Sequence, residues 1–455
     1  MDRSLIAWLR CPLTGGPLRV EGDAGGEDLQ YGLLRSDGGL FPVVAGIPVL
    51  TADARATEAT EALRRGRPAE ALLRMVEPAC WPRPAVTAWV PGLAGARRRG
   101  ALGAFLAPDA TAWDLLDACF PPRWPRRREA FNYLFYRFGQ PRHLVSLAFA
   151  ALADGGPVLD LGSGAGHISR YLATRAPVIG LDRDFALLYI SRSVVAPEVP
   201  VVCADAERRL PFPDGFFSVV YASDVLYALR HKAHAVHECA RVLAGGGSLI
   251  FTALRNGARP GVPGHPLTPE AYDRLFSPWP HRLIADDRAL EAYLERRGPP
   301  LGEVAPVGDA ETFSAVVSAC EARLHAPPVR FEEWPHAVGR LGLNPLYRAH
   351  PARGGIRLTL TPPSAAWEAE HAACRRYMPA EVTVPESVLR AVEQGSQSET
   401  VEALVAACVL VAMPARYTPR ADAGRALRSR WWRPRWHAGC GILSGPQPAA
   451  TPKPS

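Results

Sequence analysis

Between Val158 and Leu254 the chain alternates short apolar runs with amphipathic segments. "PVLDLG", "PVIGLD", "VPVVCAD", "FSVVYAS" and "SLIFTAL" are apolar at successive positions, which predicts strands covered on both faces. "HISRYLATRA" sets Ile168, Tyr171 and Leu172 on one helical face, and "FALLYISRSV" and "HAVHECARVLAGGG" continue the helical spacing. Such an alternation predicts an α/β fold, a Rossmann-like doubly wound sheet.

The flanks are patterned differently. Residues 1–51 break into short apolar runs separated by Gly, Pro and Asp, the pattern of a small β-rich module. Residues 52–150 shift to Ala, Arg and Glu, and "ATEATEALRRGRPAEALLRMV" has helical spacing, so a helical linker or cover is expected there. The nucleotide-fold pattern occupies 151–258. Beyond it, "LTPEAYDRLF", "RALEAYLERRG", "ETFSAVVSACEARL" and "VPESVLRAVEQG" read as helices and "GIRLTLTPP" as a strand. "VEALVAACVLVAMPARY" turns from helix into strand. Residues 259–420 are therefore expected to be a mostly helical insertion or accessory region, with an independent domain as the alternative. The basic, Pro-rich tail 421–455 is expected to be partly disordered.

Composition narrows the class. With 48% apolar and 21% charged residues the 455-residue chain has the balance of a soluble globular protein. Asp2 near the start and the lack of an apolar h-region argue against a secretory signal. The run "ALVAACVLVAMPA" is shorter than the about 20 residues that span a bilayer, so no membrane span and a cytoplasmic location are expected. The formal charge of +7 comes almost wholly from arginine, with Lys232 and Lys453 the only lysines. In a chain this rich in Ala, Gly and Pro the arginine excess is coding bias, and nucleic acid is not favoured as a partner. The nine cysteines form no CxxC pair, so neither a zinc ribbon nor a disulfide framework is written in them.

The chemistry concentrates in "VLDLGSGAGHISRYL". A glycine-rich turn between a first strand and a helix lets a ligand approach the backbone at the carboxyl ends of the strands. Gly162, Gly164 and Gly166 are spaced Gly-x-Gly-x-Gly, and His167 stands where the dinucleotide fingerprint needs its third glycine, which argues against NAD. No Gly-Lys-Ser/Thr follows, so a Walker loop is excluded. Asp160 suits a ligand with an amino end, Asp182 the two hydroxyls of a ribose, and Asp205, with Ala206 beside it, an exocyclic amine. An amino-acid end, a ribose and an adenine without phosphate describe S-adenosyl-L-methionine.

On these residues the chain resembles the class I SAM-dependent methyltransferases. "VLDLGSGAG", "VIGLD", "CADAERRLPFPDGFFSVVYASDVLYAL" and "HECARVLAGGGSLIF" are similar to their successive motifs, closest to the ubiquinone-biosynthesis-type and natural-product group. The resemblance implies cofactor contacts from Asp160, Gly162, Ser163, Gly164 and Gly166, from Asp182, from Asp205 and Ala206, and from Ser223. Asp184 is expected to cap a helix. For a hydroxyl acceptor it offers Asp224, Tyr227 or His231 as the group that removes a proton, although His231, His234 and His237 lie on an expected surface helix. "SDVL" stands where enzymes that methylate amino groups of nucleic acids and proteins carry Asn/Asp-Pro-Pro-Tyr, so a small-molecule acceptor is favoured. A silent scaffold and an RNA-modifying enzyme are the alternatives. Such enzymes finish their sheet with two strands after the fifth, and Cys408 to Met413 is expected to close it, near 405–415, in the sheet of Val158–Leu161. Residues 260–350 would then lie over the strand ends as a lid that selects the acceptor.

A second resemblance lies in "CPLTGGPL" and "GGLFPVVAGIPVL", which are similar to the small zinc-ribbon-like activator subunit of tRNA and translation-factor methyltransferases. Only Cys11 of its metal ligands is kept, so no metal is expected. The module must then be held by its own core and by docking on the catalytic domain.

Overall fold

The computed structural model describes residues 1–22, 28–76, 100, 102–119, 127–303, 305–395 and 398–417. The basic tail, and with it the expectation of disorder, lies outside the described residues. In the N-terminal module β1 (Arg19–Val20), β2 (Gly32–Ser36), β3 (Gly39–Val44) and β4 (Ile47–Pro48) form an antiparallel sheet in that order. The central sheet contains β5 (Val158–Leu161), β6 (Val178–Asp182), β7 (Val201–Cys203), β8 (Phe217–Ser223), β9 (Leu243–Arg255), β10 (His281–Ala285) and β11 (Thr312–Val317). Its order is β10-β11-β9-β8-β5-β6-β7. The five strands from β5 to β9 are mutually parallel, and β11 runs antiparallel between β9 and β10.

The apolar runs are explained by two cores. Val158, Val219, Tyr221 and Ile250 enter one, packed with the helix Pro141–Ala150 and the helix Asp286–Leu294. Leu159, Leu161, Val220, Ala222, Leu249 and Phe251 enter the other, packed with the helices Lys232–Val242 and Pro269–Phe276. Alternate residues of one strand point to opposite faces, so a strand covered twice has no position left for a polar side chain unless it is bonded or functional. Asp160 is the exception in β5, and it is 2% exposed.

The N-terminal module belongs to the second core. Leu9, Cys11, Phe41 and Val43 cluster with Leu210 and Phe212 of the loop between β7 and β8 and with Phe217 of β8. Its chain also extends the β7 edge: Val49 bridges Cys203 in parallel, Leu50 N–H donates to the Cys203 carbonyl at 2.7 Å, and Arg10 N–H donates to the Pro211 carbonyl at 2.9 Å. These bonds and the shared apolar core hold the module against the central sheet. This contact covers the carboxyl end of the β7 edge, which would otherwise be open to pairing with another chain.

The expected closure of the sheet is corrected. Two strands do follow the fifth, with the last antiparallel, but they are β10 and β11, in segments not read as strands. "TFSAVV" is buried on both faces, Phe313, Ala315 and Val317 entering one core and Val316 the other, and such a run carries no period that separates strand from helix. The segment Cys408 to Met413 is instead β16 (Leu410–Ala412), paired with β12 (Leu341–Leu343) in a separate two-stranded sheet. Both edges of β9 are taken, by β8 and β11, and Leu410 and Val411 are buried in the helix-side core. A lid spanning 260–350 is corrected with it, because 281–317 supplies sheet strands. The strand at "GIRLTL" is found as β14 (Gly355–Leu360), between β13 (Tyr347–Ala352) and β15 (Glu381–Val384). The helices read in "LTPEAYDRLF", "RALEAYLERRG", "VPESVLRAVEQG" and the start of "VEALVAACVLVAMPARY" are found as Pro269–Phe276, Asp286–Leu294, Glu386–Glu393 and Glu399–Ala406.

Phe212 is wholly buried where the module meets the central sheet, with its ring 4.9 Å from that of Phe217. Phe212→Ala is expected to cost about 3–5 kcal/mol in urea denaturation. Trp8→Ala, which truncates a ring 38% exposed, should cost less than about 1 kcal/mol.

Candidate functional site

The strand ends β5, β6, β7 and β8 enclose a cleft of about 260 Å³. Its lining includes Asp160, Gly162, Ser163, Gly164, Asp182, Asp205, Ala206, Ser223 and Asp224. Of the other residues singled out from sequence, Gly166, Tyr227 and His231 are not in the lining.

The glycine loop is shaped by protein groups. Gly162, Gly164 and Gly166 have φ of 70°, 52° and 80°, a region that L side chains rarely adopt. A Cβ on Gly164 would lie 2.2 Å from the Tyr133 hydroxyl, and one on Gly166 would lie 2.2 Å from Ser191 Oγ. Gly166 therefore makes room for the close approach of the segment that starts at Ser191. The loop's N–H groups are also taken: Gly162 and Ser163 donate to the Leu181 carbonyl at 2.7 and 3.0 Å. Gly164 donates to Asp182 Oδ2 at 2.9 Å, and Ala165 donates to the Tyr133 hydroxyl at 3.2 Å. A loop so bonded leaves no row of N–H groups for a phosphate, while its bare Cα atoms still allow close approach.

The acids are held at their strand ends. Asp160 accepts from Ser169 Oγ at 2.5 Å, and burial raises its carboxyl to about 7 against that bond. Asp182 accepts from Gly164 N–H and, on its other oxygen, from Asp184 N–H at 2.8 Å; burial raises it to about 6. Each Asp182 oxygen keeps acceptor capacity toward the cleft. Asp205 accepts from Glu207 N–H at 2.9 Å. Asp184 caps the helix Phe185–Ile190 through Ala186 and Leu187 N–H, as expected. Ser163 Oγ is buried with no partner among the described residues, an open position in a polar lining.

At the mouth, Asp224 adopts a left-handed φ of 60°. Its carboxylate lies 3.5 Å from Arg137 and 3.6 Å from Arg255. Arg255 stacks over the Tyr227 ring at 4.4 Å, and burial raises the Tyr227 hydroxyl. His231 is exposed, as are His234 and His237. Ser223 Oγ is fixed by Ser146 Oγ at 2.8 Å, which also meets Thr252 Oγ1 at 3.0 Å.

Sequence reasoning missed Tyr133, Arg137 and His167 as part of this site. All three line the cleft. Burial lowers His167 to about 3, and its Nε2 lies 2.9 Å from the Tyr417 hydroxyl, so it is a neutral ring in the wall. "NYLFYRFGQ" lies in residues 52–150, the stretch read as a helical linker or cover.

Residues 159–251 match the family described as a methyltransferase domain. The chain is 33% identical over 163 residues to the ubiquinone/menaquinone biosynthesis C-methyltransferase UbiE of Bordetella parapertussis, covering 33% of this chain and 61% of that protein. With UbiE of Ectopseudomonas mendocina it shares 32% identity over 161 residues, covering 33% and 60%. The chain thus spans about three fifths of the length of these curated relatives. Among solved structures it is similar to a TehB-like SAM-dependent methyltransferase from Corynebacterium glutamicum, at 17% identity over 43% of this chain and 94% of that one, with a TM-score of 0.30.

S-adenosyl-L-methionine is the methyl donor of methyltransferase domains of this kind. The residues present fit it: Asp160, Asp182 and Asp205 lie in or just beyond three successive strands around one cleft, and among the described residues the glycine loop presents no free amide row and Ser163 Oγ has no partner.

The Asp160 carboxyl titrates near 3.8 in an unfolded chain and near 7 in the folded one. The folded state holds this proton more tightly, so the stability it contributes is full below 3.8 and is lost as pH rises toward 7. In cofactor-free protein Asp160→Asn should match wild type at about pH 4 and be the more stable at about pH 8. Urea denaturation at both pH values checks this, and equal destabilisation at both would refute it.

Proposed function

We propose that the chain transfers the methyl group of S-adenosyl-L-methionine to a small-molecule acceptor. The observation that carries this reading is the convergence of Asp160, Asp182 and Asp205 with the glycine loop on one cleft. When bound, the cofactor supplies an electrophilic methyl on a sulfonium, so the protein needs chiefly to align the acceptor and exclude water. Asp182 takes the ribose hydroxyls with its remaining acceptor capacity, and Asp205 takes the adenine amine. Asp160 takes the amino group. Ser163 and the glycine loop contact the methionine portion, with Ala206 beside the base and Ser223 toward the methyl.

Among the three acid–base candidates Asp224 carries the role. It lines the cleft where Tyr227 and His231 do not, and two guanidiniums hold its carboxylate in place. We read it as the group that orients the acceptor and receives its proton. Residues 1–51 are read as an activator-like module without metal, built into the same chain as the domain it supports. A cytoplasmic location belongs to the same reading; among the described residues no helix is long and apolar enough to cross a membrane.

Titration calorimetry with S-adenosyl-L-methionine, S-adenosylhomocysteine and NAD tests the cofactor. The two sulfur compounds should bind and NAD should not, and Asp182→Ala should weaken their binding by about 1–3 kcal/mol. NAD binding without binding of either sulfur compound would sink the proposal. Metabolite and RNA profiling of a deletion strain then separates a small-molecule acceptor from RNA.

A further inference from the structure

A second cavity, of about 420 Å³, lies where three parts of the chain meet. The N-terminal module supplies Gln30 and Tyr31, the segment 105–115 supplies Phe105 and Leu115, and Arg192 and Arg416 complete the wall. It shares no lining residue with the cleft at the strand ends. Arg192 is set there by an irregularity in its helix. After Phe185–Ile190 the chain winds a π turn, Ser191–Val195, a form that recurs at functional sites. The turn buries Val194 and Val195 in the core and leaves Arg192 in the cavity wall.

Both guanidiniums are held by carbonyls. Arg192 Nη1 donates to the Ala45 carbonyl. Arg416 Nη1 donates to the Pro108 and Ala110 carbonyls at 2.6 and 3.3 Å, and its Nη2 donates to the carbonyl of Ser193, next to Arg192. A carbonyl fixes a guanidinium in place and leaves its full charge uncompensated, and burying such a charge is costly. The lining contains no Asp or Glu, and among the described residues neither arginine is ion-paired with a carboxylate. Asp28, the acid that acts on Arg192, has a side chain 68% exposed to water. Burial accordingly lowers Arg192 from its ordinary value. The Arg192 charge also reaches the Tyr31 hydroxyl, which has no partner among the described residues.

We infer that this cavity binds a small phosphate monoester, with its head between Arg192 and Arg416 and its organic part against Phe105 and Leu115. Two guanidiniums offer two charges and several unused N–H donors in planar forks, a match to phosphate oxygens. A phosphate monoester carries a charge of about −1.5 to −2 at pH 7, whereas a carboxylate or a phosphodiester carries a single one. Tyr31 and Gln30 add neutral donors from the module side.

Calorimetry with phenyl phosphate and phenyl sulfate, which have the same shape but differ by one charge, tests this on the full chain. Wild type should bind phenyl phosphate at least about tenfold more tightly than phenyl sulfate. Arg192→Met should weaken phenyl phosphate about 10–100-fold and reduce that preference, with Arg192→Lys falling between. Tyr31→Phe deletes a hydroxyl that carries no bond to the described residues, so it should fold as wild type does and weaken phenyl phosphate about 3–10-fold. It carries the test if Arg192→Met does not fold. Arg183→Met removes a cation from the strand-end cleft instead, and should bind phenyl phosphate as wild type does. No binding by wild type, equal affinity for the two esters, or unchanged binding in both Arg192→Met and Tyr31→Phe would overturn the assignment. So would loss of binding in Arg183→Met. None of these outcomes depends on the proposed cofactor.

Discussion

The hydrogen bond from Gly164 N–H to the Asp182 carboxylate holds the site together. It ties the turn after β5 to the end of β6, so the two strand ends cannot separate without leaving a buried acceptor unmatched. The other oxygen of Asp182 receives Asp184 N–H, which starts the next helix. One carboxylate thereby sets the glycine loop, the edge of the cleft and the entry to the helix Phe185–Ile190. Burial works against this arrangement by favouring the protonated acid, and the two amide donors oppose it. This side of the cleft is in this sense held by the protein's own bonds.

The sheet and its polar exceptions were legible because they obey strong local rules. Strands covered on both faces need apolar residues at every position, so Asp160, Asp182 and Asp205 stood out against "VLDL", "VIGLD" and "VVCAD". Asp184 was legible as a cap because its place before "FALLYI" has one common use. The closing strands were not legible, for the reason that made the first five easy. "TFSAVV" is buried on both faces and lies next to "SACEARL", so its apolar residues fit a helix as well as a strand. Only pairing with β9, set by the rest of the fold, decides between them.

Arg137, Tyr133 and His167 escaped the sequence reading for a different reason. Their roles come from tertiary placement: the segment 127–140 is brought across the glycine loop from outside the sheet. Tyr133 occupies the volume that a side chain on Gly164 would need. The glycine was read as making room for a ligand, and part of that room is filled by the protein's own tyrosine. A composition-based reading cannot distinguish those occupants, because both require the same missing Cβ.

The covalent continuity of the N-terminal module with the central sheet alters how its contacts behave in the cell. A separate subunit making the bonds from Leu50 to Cys203 and from Arg10 to Pro211 would associate to an extent set by its concentration and dissociation constant. Within one chain the same contacts form at an effective concentration on the order of millimolar. Stoichiometry is then fixed at one to one by translation, and dilution does not strip the module away. Contacts too weak to sustain a two-chain complex are sufficient here, which frees the interface to evolve without selection for tight association.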